Sequence, residues 1–582
     1  MVGPLSLWVI SLLLVSTQAQ VNLILMDGAS GADVVDAVVS RVKQTCVYGD
    51  SDFYTYLRRL AYVESLDGTD ATAFNNGLNG GIWMISNAMF NTLVTNVFPT
   101  ISPTIAAQFN INVGQITYND LRKPLYSGLA ALLYTKYIIE SNTGISRVPR
   151  SLSDQASFWA TSYRPGSSAT VYQTRATFYD QSKSQCNVGA DIMFVLDESG
   201  SIGSVNYQSE KNFVAQVINN LVIGTDANRV GVITYSSSTF LKINLNQYTT
   251  KTSLINAVTN LSYQGGGTAT YLALQQLRTE AFLDGNGVRP KGKGHPRVAI
   301  ILTDGVSNSQ TQTLQQAQLA KDADIILFSV GVGTSINQNE LIGMASDPTC
   351  LHYSQLNQGF NEILDLVSSI SATACTVPVN FEPNTTVVRD VDPNINYNCE
   401  ITVPPQGVTV QLLTTGGNLT FFLSDATYPN LAFYDVKVFV QQGQIASVYI
   451  PPGQQMTYCS IISQTTTTVT IITTLGGSPI TTPAAPTGYD CANNNPCGQG
   501  DGYYEHTDPA KYVQCGAYQC SVMSCPGGLV WQQNILACNW PNAGGNTGGS
   551  TGATGGYGGA VGKRCASWIT VCSPQNTIIN GY

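Results

Sequence analysis

Asp197, Ser199 and Ser201 alternate with Glu198 and Gly200 directly after the apolar run Ile192-Met193-Phe194-Val195-Leu196. Such a run reads as a strand buried on both faces, so one carboxylate and two hydroxyls emerge together at its carboxyl end, where open α/β sheets place ligand sites. Carboxylate and hydroxyl oxygens are the hard donors that Mg²⁺ takes in near-octahedral geometry while keeping some of its waters. The same residues also fit an ordinary serine-rich turn, and the local pattern leaves both readings standing.

At these residues the chain resembles the von Willebrand factor A and integrin I-domain family. The family's motif positions occur here in order as Asp197, Ser199 and Ser201, then Thr268 within Gly265-Gly-Gly-Thr-Ala-Thr, then Asp304 within Ile301-Leu-Thr-Asp-Gly. The resemblance runs from Cys186 to Cys375. It implies a bound divalent cation, Mg²⁺ or in its place Ca²⁺ or Mn²⁺, with one position left open for a partner's carboxylate. Adhesion to an extracellular protein or acidic ligand is the function that follows from it.

Aromatic residues and cysteines interleave in Gly502-Tyr-Tyr-Glu-His-Thr-Asp-Pro-Ala-Lys-Tyr-Val-Gln-Cys515, in Cys525-Pro-Gly-Gly-Leu-Val-Trp531 and in Cys538-Asn-Trp540-Pro541. This pattern resembles the peritrophin-A chitin-binding family, with one family cysteine missing near Ala510 and Cys520 extra, which leaves the pairing of Cys515, Cys525 and Cys538 open. Rigid aromatic rings stack on the flat apolar faces of N-acetylglucosamine at little conformational cost, so Tyr503, Tyr504, Tyr512, Tyr518, Trp531 and Trp540 are the candidate contacts. In so small a module some of these must serve as core instead, Trp531 first among them.

A third site is read from Leu60-Ala-Tyr-Val-Glu64-Ser65, followed by Gly80-Gly-Ile-Trp-Met-Ile85 and Phe158-Trp-Ala-Thr-Ser-Tyr-Arg-Pro-Gly166. The order resembles the lysozyme and transglycosylase pattern, which implies Glu64 as a general acid whose pKa an apolar wall would raise. A glutamate near a helix end is more often simply solvated, and no partner carboxylate stands out, Asp67 and Asp70 being only neighbours in sequence. His295, His352 and His506 have no zinc spacing around them and no serine or aspartate arrangement, and are read as surface residues.

The elements that must position these groups differ along the chain. Val34, Val35, Val38, Val39 and Val42, then Tyr54, Leu57, Leu60 and Ala61, recur at helical spacing, so residues 20–180 form an α-rich domain. In 186–375 short apolar runs at Ile192–Leu196, Val230–Thr234, Val298–Leu302 and Ile325–Val330 alternate with amphipathic stretches, the pattern of a doubly wound parallel sheet. Phe213, Val217, Ile218 and Leu221 mark one helix of this unit, and Ile363, Leu366, Val367 and Ile370 its last. Residues 376–475 alternate in period two through Val408-Val410-Leu412, Leu419-Phe421-Leu423 and Val436-Val438-Val440, which reads as a β-sandwich stapled by Cys399 and Cys459. A threonine-rich run, Thr465–Thr474, opens a linker that continues over 476–490, and 491–541 is a small disulfide-rich β module. A glycine-rich stretch and a tail with Cys565 and Cys572 complete 542–582.

The chain of 582 residues is too long for one core. Residues 1–19 carry an apolar run closed by small residues and read as a signal peptide. No later segment is long and apolar enough to span a bilayer, so a secreted chain is expected. Fourteen cysteines suit an oxidising compartment. Cys46, Cys186, Cys350 and Cys375 allow three pairings, of which Cys350 with Cys375 and Cys46 with Cys186 is preferred. Acceptor triplets at Asn260, Asn384 and Asn418 would allow N-glycosylation. With 27 Lys and Arg against 36 Asp and Glu, and no basic cluster, nucleic acid is excluded as a partner.

Together these features describe a secreted matrix protein joining a cation-dependent adhesive site to a module for chitin or a related N-acetylglucosamine polysaccharide. The domain order resembles invertebrate shell and cuticle matrix proteins of the Pif type, which implies a shell or cuticle setting. A glycan hydrolase or transglycosylase using Glu64, or an immune protein recognising microbial glycans, are the rival readings.

Overall fold

The computed structural model describes residues 17–18, 20–75, 79–141, 147–182, 189–393, 395–453, 456–476, 491, 502–506, 508, 510–516, 519–525, 530–532 and 537–539. Apart from the backbone of Thr17–Gln18, the expected signal peptide lies outside them, as do Cys186, the 477–490 part of the linker, and the glycine-rich stretch and tail. The chain divides into two compact units, one of Met1–Val403, Val410–Ser447 and Gln454–Thr474, the other of Pro404–Thr409, Val448–Gly453 and Leu475–Tyr582. Among the described residues no helix is long and apolar enough to cross a membrane.

The first unit opens with helices α1 (Ala32–Lys43), α2 (Ser51–Ser65), α3 (Asn87–Asn96), α4 (Phe98–Phe109), α5 (Pro124–Ser141), α6 (Leu152–Phe158) and α7 (Ala169–Ser182). The Asp50 carboxylate caps α2 by accepting from the Phe53 amide at 3.0 Å, satisfying a donor that the first turn cannot pair. α2 stops where Leu66 and then Asp67 take positive φ, leaving Glu64 in its last turn. Almost every residue of α2 is buried, so it runs through the middle of this region and packs on α1, α5 and α7.

The next region is a six-stranded sheet of β1 (Asp191–Asp197), β2 (Arg229–Tyr235), β3 (Thr239–Ile243), β4 (Arg297–Thr303), β5 (Ile325–Val332) and β6 (Tyr353–Leu356), in the order β3-β2-β1-β4-β5-β6. The four strands expected from the apolar runs are central and buried. The sheet is mixed rather than purely parallel, because β3 returns antiparallel along β2 as an edge strand, with a bulge at Val232 and Ile233. Helices α8 (Gly203–Asn219), α9 (Lys251–Thr259) and the closing α13 (Val367–Ala374) cover one face; α10 (Thr270–Gln276), α11 (Gln310–Lys321) and α12 (Gln338–Met344) cover the other. The chain goes from β1 to β2 on one side and later to β4 on the other, so the strand order reverses between β1 and β4. Crevices at such a reversal, beyond the carboxyl ends of the strands, are where α/β sheets bind ligands.

The strands that follow, over 379–475, form mainly a six-stranded and a four-stranded antiparallel-rich sheet, with alternating burial in Val408–Thr415, Val436–Val440 and Thr467–Leu475, while Phe433–Tyr434 pairs with Val21–Asn22. The run Thr465–Thr474, expected to begin the linker, is instead mostly the strand Thr467–Leu475 paired with Thr386–Val391. β-Branched threonine suits a pleated surface, and Val469 and Ile471 supply the buried side. Cys399 and Cys459 are disulfide-bonded as directly opposed residues of one sheet, joining neighbouring strands rather than the two layers.

The preferred pairing of Cys350 with Cys375 is corrected: Cys350 is bonded to Cys46, which also removes Cys46 from the pairing with Cys186. Cys375 is disulfide-bonded as well. The Cys46 bond ties the end of α1 to the turn before β6, and ions reinforce the same junction. Arg150 donates to Asp52 at 2.6 Å and to Glu362 at 3.3 Å, and Arg147 also pairs with Glu362. The helical region is therefore fastened to the α/β region, not strung beside it.

In the second unit, Gly502–Glu505, Lys511–Gly516 and Gln519–Ser524 form a three-stranded antiparallel meander, and Val530–Gln532 pairs with Ala537–Asn539. Cys520, the extra cysteine of the sequence pattern, is bonded to Cys491, and Cys515 and Cys525 are bonded too. Cys538 is described only through its backbone.

Candidate metal centre

Asp197 ends β1, and Asp304 follows the last residue of β4. These strands are adjacent and in register through Leu196 and Leu302, so both carboxylates arrive at the same edge of the strand-order reversal. The Thr303 hydroxyl donates to Asp197 Oδ2 at 2.7 Å, and the Ser199 amide donates to Asp197 Oδ1 at 2.9 Å. The Ser201 hydroxyl donates to Asp304 Oδ1 at 2.8 Å and lies 3.2 Å from the Ser199 hydroxyl. Thr268 comes from the loop before α10; a methyl on Gly305 would sit 3.8 Å from Ser201 Oγ and 4.0 Å from Thr268 Oγ1, which places both hydroxyls around one point. The five motif residues thus meet.

Supporting contacts come from residues that the sequence did not single out. Asn308 accepts from the Thr268 amide at 3.2 Å and donates its own amide to the Thr268 carbonyl at 2.8 Å, holding that loop from both sides. Tyr263 donates to the Ser199 carbonyl at 2.9 Å, and the Gly200 amide donates to the Gly266 carbonyl at 2.8 Å. Gly266 has φ +127°, a conformation side chains rarely adopt, and a β-carbon there would meet Ser237 Oγ at 3.0 Å. These are contacts to backbone, which no residue type announces in advance.

The electrostatics favour a cation. Burial pushes the Asp197 carboxyl up to about 6 even though Ser199 and Thr303 donate to it, and the neighbouring Asp304 charge adds to the rise. Asp304 is raised by burial as well, with the Ser201 hydrogen bond opposing. Two carboxyls held together without a cationic side chain are costly to ionise, and a divalent ion removes that cost. Among the described residues no three His, Cys, Asp or Glu side chains converge, so such an ion would draw the rest of its donors from Ser199, Ser201, Thr268 and water, a hard set suited to Mg²⁺, Mn²⁺ or Ca²⁺.

Glu64 is differently placed from a solvated or poised acid. It is buried, its Oε1 accepts from Trp159 Nε1 at 2.7 Å and from Arg164 Nε at 3.1 Å, and its Oε2 accepts from Arg164 Nη2 at 2.7 Å. Arg164 continues to the Met84 carbonyl. Both of its oxygens are thus already engaged as acceptors, by a guanidinium and an indole of the chain itself.

His352 is buried rather than on the surface: Nδ1 meets the Ser346 carbonyl at 3.0 Å, the ring abuts Phe328, and burial lowers its pKa to about 4. His295 is half-buried against the Gly189 carbonyl. Asn260, Asn384 and Asn418 are all exposed. Of the aromatic candidates, Tyr504 and Tyr512 are half-buried; Tyr503 and Trp531 are described through their backbone only, and Tyr518 and Trp540 lie outside the described residues.

Residues 191–368 match the von Willebrand factor type A domain, and residues 497–544 match the chitin binding Peritrophin-A domain. Matrilin-2 of Mus musculus is 36% identical over 29% of this chain and 17% of its own length. The collagen alpha-1(XII) chain of Notophthalmus viridescens is 34% identical over 32% and 19%. Matrilin-1 of Gallus gallus is 34% identical over 32% and 38%. The chain therefore spans well under half the length of these curated relatives. Among solved structures, proximal thread matrix protein 1 from the mussel byssus with a zinc occupied MIDAS motif is 23% identical at TM-score 0.32, covering 35% of this chain and 55% of that one. The manganese-loaded Plasmodium vivax TRAP protein is 27% identical at TM-score 0.28, covering 32% and 74%.

Proposed function

We propose that this chain is a secreted extracellular matrix linker, which binds a divalent cation and through it an acidic partner at one site, and chitin or a related N-acetylglucosamine polysaccharide at another. The observation that carries the first half is the convergence of Asp197, Ser199, Ser201, Thr268 and Asp304 from three loops at the strand-order reversal. A cation held there would supply Lewis acidity toward an outside carboxylate. The chain's own residues fix the donors in place: Thr303 orients Asp197, Ser201 orients Asp304, and Asn308 fixes Thr268.

The chitin half rests on the Peritrophin-A match and on the aromatic meander that carries Tyr504 and Tyr512. The matrix setting rests on matched relatives that are matrilins and a collagen. Joining two weak sites on one chain raises the effective concentration of each target near the other, so modest affinities suffice for a linker. The glycosidase reading loses support because Glu64 is committed to Arg164 and Trp159.

The test uses the full chain on chitin beads and on peptidoglycan, with fluorescent polyaspartate as the acidic probe. Chitin should retain the protein with or without EDTA, while polyaspartate should be recruited in Mg²⁺ and released by EDTA. Recruitment that ignores EDTA would refute the adhesive half, and retention on peptidoglycan but not on chitin the other.

A further inference from the structure

A groove of about 560 Å³ lies between the edge strand β3 and helix α9. Its apolar lining includes Ile243 and Tyr248, and its polar lining includes Lys242, Ser253, Asn256 and Asn260. β3 is the outermost strand of its sheet and pairs only with β2, so the groove follows an open sheet edge. Folded proteins usually cover or blunt such an edge, because its unpaired backbone groups invite another strand.

Asn260 stands exposed at the carboxyl end of α9 and opens the triplet Asn260-Leu-Ser262, an acceptor pattern for N-linked glycan. Its Nδ2 donates to the Asn256 carbonyl at 2.9 Å, four residues back on the same helix face, so the amide is held against the α9 wall of the groove. Attachment of a sugar takes one of the two Nδ2 hydrogens and leaves the other for that bond. The turn itself is fixed: Lys211 of α8 donates to the carbonyls of Thr259 and Leu261 at 3.0 and 2.9 Å. A sugar ring has apolar faces that stack on an aromatic ring and polar substituents that pair with hydroxyls and amides, which Tyr248, Ser253 and Asn256 supply. Once tethered at Asn260, it meets the groove at high effective concentration, so contacts too weak to hold a free saccharide suffice.

We propose that Asn260 is N-glycosylated and that the first N-acetylglucosamine residues of its glycan lie in this groove, along the open edge of β3. The step joins Asn260 Nδ2 to C1 of an N-acetylglucosamine donated by a lipid-linked diphosphate. The C1–O bond breaks with its electron pair going to the diphosphate, and Nδ2 gives up one proton. The proposal shares with the proposed function only its dependence on secretion.

The experiment uses the full chain made by cultured mammalian cells, treated with peptide-N-glycosidase in isotope-labelled water and read by mass spectrometry of the peptide that bears Asn260. Wild type should be converted at Asn260, slowly while folded and quickly once unfolded. Tyr248→Ala, which removes the stacking ring, should speed release from the folded chain about tenfold. Asn256→Ala, at an exposed position of α9, should speed it by less, and gives the answer if Tyr248→Ala is not secreted. Ser262→Ala keeps Asn260 but destroys the triplet, so it should show no conversion. An unmodified Asn260 in wild type recovered from the medium overturns this proposal and leaves the secreted reading standing, whereas a chain retained in the cytosol overturns both. Equal release from folded wild type and variants also overturns it, as does an acceleration that merely follows a lowered unfolding midpoint.

Discussion

Cys46 and Cys350 are bonded across a sequence separation of 304, joining the end of α1 to the turn that leads into β6. A crosslink closing so long a loop removes much of the freedom of the unfolded chain. Replacing both, Cys46→Ser/Cys350→Ser, is expected to cost about 2–5 kcal/mol of stability. The check is the midpoint of thermal or urea unfolding, and an unchanged midpoint would mean that Arg150, Asp52 and Glu362 hold the junction unaided.

The cation site carries its own pH signature. A cation must displace whatever proton Asp197 holds, and burial puts that carboxyl at about 6. Apparent affinity should therefore be flat above pH 7 and fall about tenfold per pH unit well below 6. In the metal-free protein the sign is opposite for stability: the folded state keeps a proton between about pH 4 and 6 that the unfolded state has released, so this group's contribution falls as pH rises through that window. Calorimetric Mg²⁺ titrations from pH 5 to 8 read the first effect, and unfolding in EDTA over the same range reads the second. An affinity independent of pH would place the ion away from Asp197.

Thr268 tests the ligand set without adding or removing charge. Thr268→Ala deletes a hydroxyl whose loop is still pinned by Asn308, so the fold should persist while the thermal upshift given by Mg²⁺ shrinks or disappears. Asn308→Ala should weaken the same upshift less, by letting the loop move. Equal upshifts in wild type and Thr268→Ala would remove Thr268 from the site.

What the sequence made legible follows from burial. Ile192–Leu196 and Val298–Leu302 are wholly buried, so their apolar runs announce strands, and Val408, Val410 and Leu412 alternate because one face of their sheet is wet. The edge strand Thr239–Ile243 escaped because it is short, half-exposed and bulged, giving neither a continuous run nor a clean alternation. Disulfide partners and ion pairs are set by tertiary packing: nothing near Cys46 points to Cys350, and nothing near Glu64 points to Arg164. The motif residues of the cation site could be named in advance, whereas Asn308 and Tyr263 act through backbone groups and leave no trace in type or spacing.

Glu64 should behave as a structural residue. Glu64→Gln keeps an acceptor for Trp159 but strands the Arg164 guanidinium, which is only partly exposed, and breaking one side of such a pair costs about 3 kcal/mol. The expected result is a lowered unfolding midpoint with polyaspartate and chitin binding intact. Glycan turnover by wild type that Glu64→Gln abolishes without loss of stability would restore the enzymatic reading.

The meander of the second unit separates two of the chitin candidates. Tyr504 is opposite Val513, and Tyr512 is opposite both Glu505 and Met523, so Tyr504 and Tyr512 project from opposite faces. On the central strand Val513 and Cys515 are buried whereas Tyr512 and Gln514 are half-exposed, which makes the Tyr504 face the inner one and the Tyr512 face the one a polysaccharide can reach. Loss of one stacked ring costs about 1 kcal/mol or somewhat more, so Tyr512→Ala should weaken retention on chitin by about tenfold while the module stays folded. Tyr504→Ala should instead raise the module's susceptibility to protease, with chitin binding falling only as far as folding does. Depletion isotherms on chitin beads, run beside limited proteolysis, distinguish the two, and the reverse ranking would put the sugar on the Tyr504 face.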